Sequence, residues 1–245
     1  MQDSPAASGQ FVSHEAPDIE PDLSFLEALD HVNAQRIDRG ERAIEFDHDC
    51  REGICGTCGL VIDGTPHGPL PATTTCQLHM RSFSDGATVT VEPFRSVAFP
   101  ILRDLKVDRS SLDRVAQAGG FISTNIRTAP EANSILIARD AAQAAFDAAA
   151  CIGCGACVAS CKNAAASLFT AAKIGHLSRL PQGKVENSQR VLHMVEAMDR
   201  EGFGSCTNTE ACAAACPQEI SVDQIARMNG QYNWARLKNL GSKLA

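Results

Sequence analysis

Aromatic residues other than phenylalanine are nearly absent: the 245 residues include one Trp and one Tyr. A chain so poor in large flat side chains has little with which to stack nucleobases. A basic excess is also missing. Lys and Arg total 22 against 29 Asp and Glu, a net charge of −7, which excludes a general binder of nucleic acid or anionic lipid. No apolar run approaches the roughly 20 residues needed to cross a bilayer. The opening MQDSPAASGQ has neither the basic start nor the apolar core of a secretory signal, so the protein is expected to stay in the compartment where it is made. An even-numbered disulfide framework is lacking too, since the cysteines number eleven.

Those cysteines are the sequence's main feature. Cys151, Cys154, Cys157 and Cys161 form C-x2-C-x2-C-x3-C. Structural zinc takes four ligands converging on one tetrahedron, usually as two separated pairs. A tight triplet instead wraps three corners of an iron–sulfur cube, and the fourth cysteine of such a run reaches a different cluster. A second run, Cys206-x2-Thr209-x2-Cys212-x3-Cys216-Pro217, repeats the first with Thr209 in place of the second cysteine. In the two-cluster pattern each run donates its last cysteine to the other's centre. Cys151, Cys154, Cys157 and Cys216 then make a full 4Fe–4S set. Cys161, Cys206 and Cys212 hold a second centre with one corner unfilled. A threonine hydroxyl is a weak iron ligand at neutral pH, so that centre is expected to lose one iron and become 3Fe–4S.

Upstream, Cys50, Cys55 and Cys58 have the spacing C-x4-C-x2-C, with Cys76 further on. This is the plant-type arrangement for a 2Fe–2S centre. Gly53, Gly56 and Gly59 allow that loop to curl and to bring backbone N–H groups to the sulfurs. All eleven cysteines are used as four, four and three.

The surrounding pattern gives an α+β architecture. Residues 1–100 are expected to be a ferredoxin-like β-grasp domain, and residues 101–245 a helical domain holding the 4Fe–4S and 3Fe–4S centres. In the first, Gln10–Ala16, Ala43–Asp47, Leu60–Ile62 and Ala87–Val91 suggest strands. Asp63-Gly64 suggests a tight turn, and Ser24-x-x-Glu27 a capping box opening a helix that stops at Gly40. Strand signals end at about Ser96. Helices are expected from Asp108 or Ser110 to Gly119-Gly120, over Asp140–Ala150, from a cap at Asn187, and after a second capping box at Ser221-x-x-Gln224. Residues 121–133 suggest a loop.

The stretch Phe46-Asp-His-Asp-Cys-Arg-Glu-Gly-Ile-Cys-Gly-Thr-Cys-Gly59, the linker Pro100-Ile-Leu-Arg-Asp-Leu-Lys-Val-Asp108, the turn Gly119-Gly-Phe121 and the threonine-interrupted second motif together resemble the iron–sulfur subunit of succinate dehydrogenase and fumarate reductase. The resemblance covers almost the whole chain. It implies an oxidoreductase subunit of the tricarboxylic acid cycle and respiratory chain. A flavoprotein partner carrying FAD interconverts succinate and fumarate, and a membrane-anchor partner holds the quinone. Electrons pass along the 2Fe–2S, 4Fe–4S and 3Fe–4S centres, and no catalytic residue for the carbon chemistry lies in this chain. Its location would be the cytoplasmic face of the bacterial inner membrane. In the ubiquinone-reducing branch a proline and tryptophans follow the position of Cys161, and a histidine follows that of Cys206. Here Lys162-Asn163-Ala164 and Thr207 stand there, which implies a different quinone site and menaquinone as partner. The strand with which the family opens, before Phe11, is missing or lies upstream.

A soluble multi-cluster electron carrier for another flavoenzyme is the competing reading. Such subunits normally have two complete four-cysteine motifs and no plant-type domain, and both Thr209 and Cys50–Cys76 count against it. Among other signals, His48, His176 and His193 suggest surface or helix-face residues. Lys162, Lys173, Arg179, Arg236 and Lys238 suggest solvated basic faces more than a headgroup site.

Overall fold

The computed structural model describes residues 1–2, 8–123, 131 and 134–243, apart from the side chains of 240–243. The first half is built on helix α1 (Phe25–Asp38). Its start is the capping box expected: the Ser24 N–H donates to Glu27 Oε2 at 2.7 Å and the Glu27 N–H to Ser24 Oγ at 3.3 Å. Gly40 at φ 74° ends it by adopting the left-handed backbone that other residues resist. The helix buries Phe25, Leu26, Ala28 and Val32. They lie beside a three-stranded antiparallel sheet of order β2-β1-β3, with β1 at Leu60–Ile62, β2 at Thr65–Pro66 and β3 at Val91–Pro93. Asp63 and Gly64, both at positive φ, make the β1–β2 turn as the sequence suggests. Leu26, Leu60, Ile62 and Leu78 form the small core with Cys58 and Cys76.

Three strand expectations are corrected. Gln10–Ala16 forms no strand; alternation alone does not make one without a partner, and the Gln10 N–H turns back to the Met1 carbonyl. Ala43–Asp47 is also outside any strand. Its backbone is satisfied by side chains: Asn33 brackets Ile44 through both amide atoms, and Asp104 accepts from the Glu45 N–H. The third strand covers only the end of Ala87–Val91 and runs on to Pro93.

Beyond Pro93 the chain is not free of strands. Ile101–Arg103 (β4) and Lys106–Val107 (β5) pair as a hairpin turning at Asp104, which sits at φ 47°. Helices α2 (Ser110–Gln117), α3 (Arg139–Ala149), α4 (Ala156–Ala159), α5 (Ser167–Arg179), α6 (Pro181–Lys184), α7 (Asn187–Arg200), α8 (Ala211–Ala214) and α9 (Asp223–Lys243) follow. Helix α5 is the hub. Leu168, Phe169, Ala171, Ala172 and Ile174 are buried in the larger core, together with Val191 and Met194 of α7 and Ile225 and Met228 of α9. Phe94 and Phe99 also belong to this core, so the chain before the hairpin is already packed into the helical half.

The caps differ from expectation. Ser110 and Asn187 are first helical residues and not caps, although Asp108 does accept from the Ser110 N–H at 2.8 Å. No capping box joins Ser221 and Gln224: Ser221 Oγ accepts from the Asp223 N–H at 3.1 Å, and Gln224 Oε1 accepts from Arg179 at 2.9 Å. The loop expected at 121–133 falls mostly outside the described residues. No described helix is long and apolar enough to cross a membrane.

Candidate iron–sulfur sites

In the first site Cys50 and Cys55 are half-buried, while Cys58 and Cys76 are buried. Cys58 lies two residues before the start of β1. Cys76 sits in the single helical turn Thr75–Gln77, held beside it by the small core. The loop curls through Gly53 at φ 76° and Gly56 at φ 74°. N–H groups reach the sulfurs as its glycines suggested: Glu52 donates to Cys50 at 3.3 Å and Thr57 to Cys55 at 3.5 Å. Hydroxyls join them, with Thr57 Oγ1 3.0 Å from Cys55 Sγ and Thr74 Oγ1 3.2 Å from Cys76 Sγ. The N–H groups of Glu52 and Ile54 pull the Cys50 thiol down to about 7. Burial, then the neighbouring Cys76 sulfur, pushes Cys58 up to about 12.

A buried histidine supports this site, and nothing in the sequence singled it out. His67 follows β2 and is 1% exposed. Its Nδ1 accepts from the Thr75 N–H at 3.2 Å, and its ring meets Phe94 edge-on at 5.6 Å. An accepting Nδ1 means a neutral ring protonated at Nε2. Burial lowers its pKa to about 4. His67 thereby anchors the turn that presents Cys76.

The second half repeats itself in backbone geometry. In the first run Gly153 and Gly155 have φ of 67° and 88°, and α4 follows. In the second run Asn208 and Glu210 take φ of 55° and 59° at the matching positions, and α8 follows. The repeat extends to the sulfurs: the Gly153 N–H donates to Cys151, and the Asn208 N–H to Cys206 at 3.4 Å. Cys216 is near enough to Cys151, Cys154 and Cys157 to oppose ionisation of each. Cys212 is likewise opposed by Cys206 and Cys161. Cys161, Cys206 and Cys212 line one recess with Thr209. The two runs therefore exchange their last cysteines in space.

These thiols suit iron–sulfur centres by their chemistry. Burial, reinforced by nearby sulfurs, pushes Cys154 up to about 12 and Cys157 well above the ordinary thiol value. Such groups become thiolates together only around strong positive charge, which a coordinating metal provides. The described residues contain no group of three Cys, His, Asp or Glu positioned to hold a single ion. Corners of a multi-iron centre are spread wider than the ligands of one ion.

The first loop and the 4Fe–4S-type loop abut. Arg109, just past the linker stretch, donates to the carbonyls of Gly56, Thr57 (3.4 Å) and Cys154 (2.8 Å). A Cβ on Gly56 would collide with the Ile152 carbonyl and lie 3.0 Å from Cys154 N. Gln218, two residues past Cys216, donates to the Gly53 carbonyl at 3.2 Å.

Comparison with known proteins agrees with these features. A family described as "2Fe-2S iron-sulfur cluster binding domain" matches residues 1–114, and one described as "4Fe-4S dicluster domain" matches 147–220. The succinate dehydrogenase iron–sulfur subunit of Bacillus subtilis is 26% identical over 229 residues, covering 89% of this chain and 85% of that one. The fumarate reductase iron–sulfur subunit of an Escherichia coli O6:H1 strain is 27% identical over 206 residues, covering 80% and 75%. The chain is similar to these iron–sulfur subunits over most of its length. The Mycobacterium smegmatis Sdh1 complex in the apo form contains a chain of the same fold, with TM-score 0.65 at 21% identity over 87% of this chain and 86% of that one.

Against the family's usual features, the remaining polar residues occupy structural places. His48 is exposed and its ring lies tilted against that of Phe46, with centroids 5.3 Å apart. His193 is exposed, and His176 is partly buried, with its pKa lowered by burial. Lys162 is exposed, Lys173 donates to the Cys151 carbonyl at 3.3 Å, and Arg179 donates to Gln224. Arg236 and Lys238 lie over Tyr232 and Trp234. Asn163 and Thr207 meet each other: Asn163 Nδ2 is 3.4 Å from Thr207 Oγ1 and donates to the Ser205 carbonyl at 3.1 Å.

Proposed function

We propose that this chain is the electron-transfer subunit of a membrane-bound succinate dehydrogenase or fumarate reductase, working between an FAD-containing flavoprotein and a quinone-binding membrane anchor. The observation that carries the reading is the paired cysteine runs with matching backbone turns and Thr209 in place of one thiol. On this reading Cys50, Cys55, Cys58 and Cys76 hold 2Fe–2S. Cys151, Cys154, Cys157 and Cys216 hold 4Fe–4S, and Cys161, Cys206 and Cys212 hold 3Fe–4S. The centres supply one-electron carriers of different potential. The chain's own contribution is to ligate them and to aim N–H groups at their sulfurs. Residues 1–100 form the 2Fe–2S domain and residues 101–245 the domain of the other two. The Asn163–Thr207 pair supports a quinone site unlike that of the ubiquinone branch, with menaquinone as acceptor or donor. The place of work is the cytoplasmic face of the bacterial inner membrane, through the anchor.

Electron paramagnetic resonance and iron analysis of the native complex test this directly. We expect a 3Fe signal in the air-oxidised protein, two further signals on reduction, and co-purification with an FAD protein and a membrane subunit. Recovery in the soluble fraction free of both partners, or four irons in each cube, overturns it. Potentiometric titration in isolated membranes, with midpoints matched to a low-potential quinone, tests the menaquinone assignment.

A further inference from the structure

Arg109 stands outside every motif. It is the residue immediately before α2, where its carbonyl accepts from the Leu112 N–H at 2.9 Å, so its backbone has a rigid base. Its side chain is partly buried and has three backbone carbonyls around it: Gly56 and Thr57 from the first cysteine loop, and Cys154 from the second. Carbonyl oxygens from two loops carry partial negative charge and repel each other. A guanidinium satisfies them at once because its donors form a planar fork and its charge is permanent. The single ammonium of lysine has no such fork. Gly56 is seated closely on the Ile152 carbonyl, where an added Cβ would collide, so the two loops are in direct contact beside Arg109.

We propose that Arg109 is a positioning residue that fixes the separation of the 2Fe–2S and 4Fe–4S loops and sets a positive charge between their centres. The inference rests on the cluster assignment above. Charge and hydrogen bonding near a cluster are two of the protein's means of setting its potential. The third centre lies among residues Arg109 does not touch, so it serves as an internal control.

The test uses the purified complex with all centres loaded, carrying Arg109→Met or Arg109→Lys. In Arg109→Met the midpoints of the 2Fe–2S and 4Fe–4S centres shift downward together, while that of the 3Fe–4S centre stays in place. Magnetic coupling between the two reduced centres also weakens. In Arg109→Lys the charge remains but the fork is lost, so the midpoints stay near the parent values while coupling weakens and amide exchange over residues 53–58 and 152–155 rises severalfold. If Arg109→Met does not load its clusters, Arg109→Lys decides the matter. Unchanged midpoints and coupling in a loaded Arg109→Met complex, or unchanged coupling and exchange in Arg109→Lys, overturn the proposal. Failure of the parent complex to show the three signals overturns the cluster reading instead, before any variant is compared.

Discussion

Thr209 has the backbone environment of a cysteine without the sulfur. Its neighbours Asn208 and Glu210 keep the left-handed turns that Gly153 and Gly155 make around Cys154. The loop is therefore already shaped to present a thiol. Thr209→Cys should fold normally and convert the centre to four irons, seen as loss of the 3Fe signal and a gain of one iron per chain. Gly56 is the opposite case, a position where no side chain fits. At φ 74° with the Ile152 carbonyl against it, Gly56→Ala combines backbone strain with a collision. It should cost roughly 2 kcal/mol or more, measured as a lower denaturation midpoint, with loss of 2Fe–2S absorbance preceding loss of the other centres.

Asp104 was invisible as a site until the chain folded. Its buried carboxylate accepts from Gln2 N, Glu45 N and the Arg42 guanidinium. Burial would raise its pKa; the donations from Arg42, Glu45 and Gln2 outweigh that and hold it below the usual carboxylate range. A depressed folded pKa gives stability that is complete above the unfolded value and is lost as pH falls through the folded one. Asp104→Asn should therefore destabilise the protein near neutrality by on the order of 2 kcal/mol, with the difference from the parent shrinking below about pH 4. A constant difference across an acid titration would count against this account.

At the scale of elements, helices were more legible than strands. Capping at Ser24 reads directly because both partners are three residues apart, and Ser24→Ala should lower stability by about 1 kcal/mol in chemical denaturation. The Ala-rich segment before Cys151 also forms the helix its composition indicates. Strands failed where partners are remote. Ala43–Asp47 has strand-like composition, yet its donors and acceptors are met by Asn33 and Asp104 from distant segments. The β4–β5 hairpin was hidden inside a linker recognised only by resemblance.

At the scale of the molecule, the cysteine spacing carried most of the reading, because ligand geometry imposes short fixed intervals. The grouping of sulfurs around Cys216 and around Cys161 follows the same rule. The supporting residues obey no interval. His67 is reached through the backbone N–H and hydroxyl of Thr75, and Arg109 joins one loop 53 residues before it to another 45 residues after it; such contacts exist only once tertiary structure does.

Gly56 also bears on how proteins of this kind can be recombined. A chimera that takes its first half from one ancestor and its second from another brings a new residue to face the Ile152 carbonyl. Anything larger than a hydrogen there pushes the halves apart, whatever its own loop tolerates. Such an exchange should therefore be tolerated only where the parent supplying the first half has glycine at this position, because the group it faces is a backbone carbonyl.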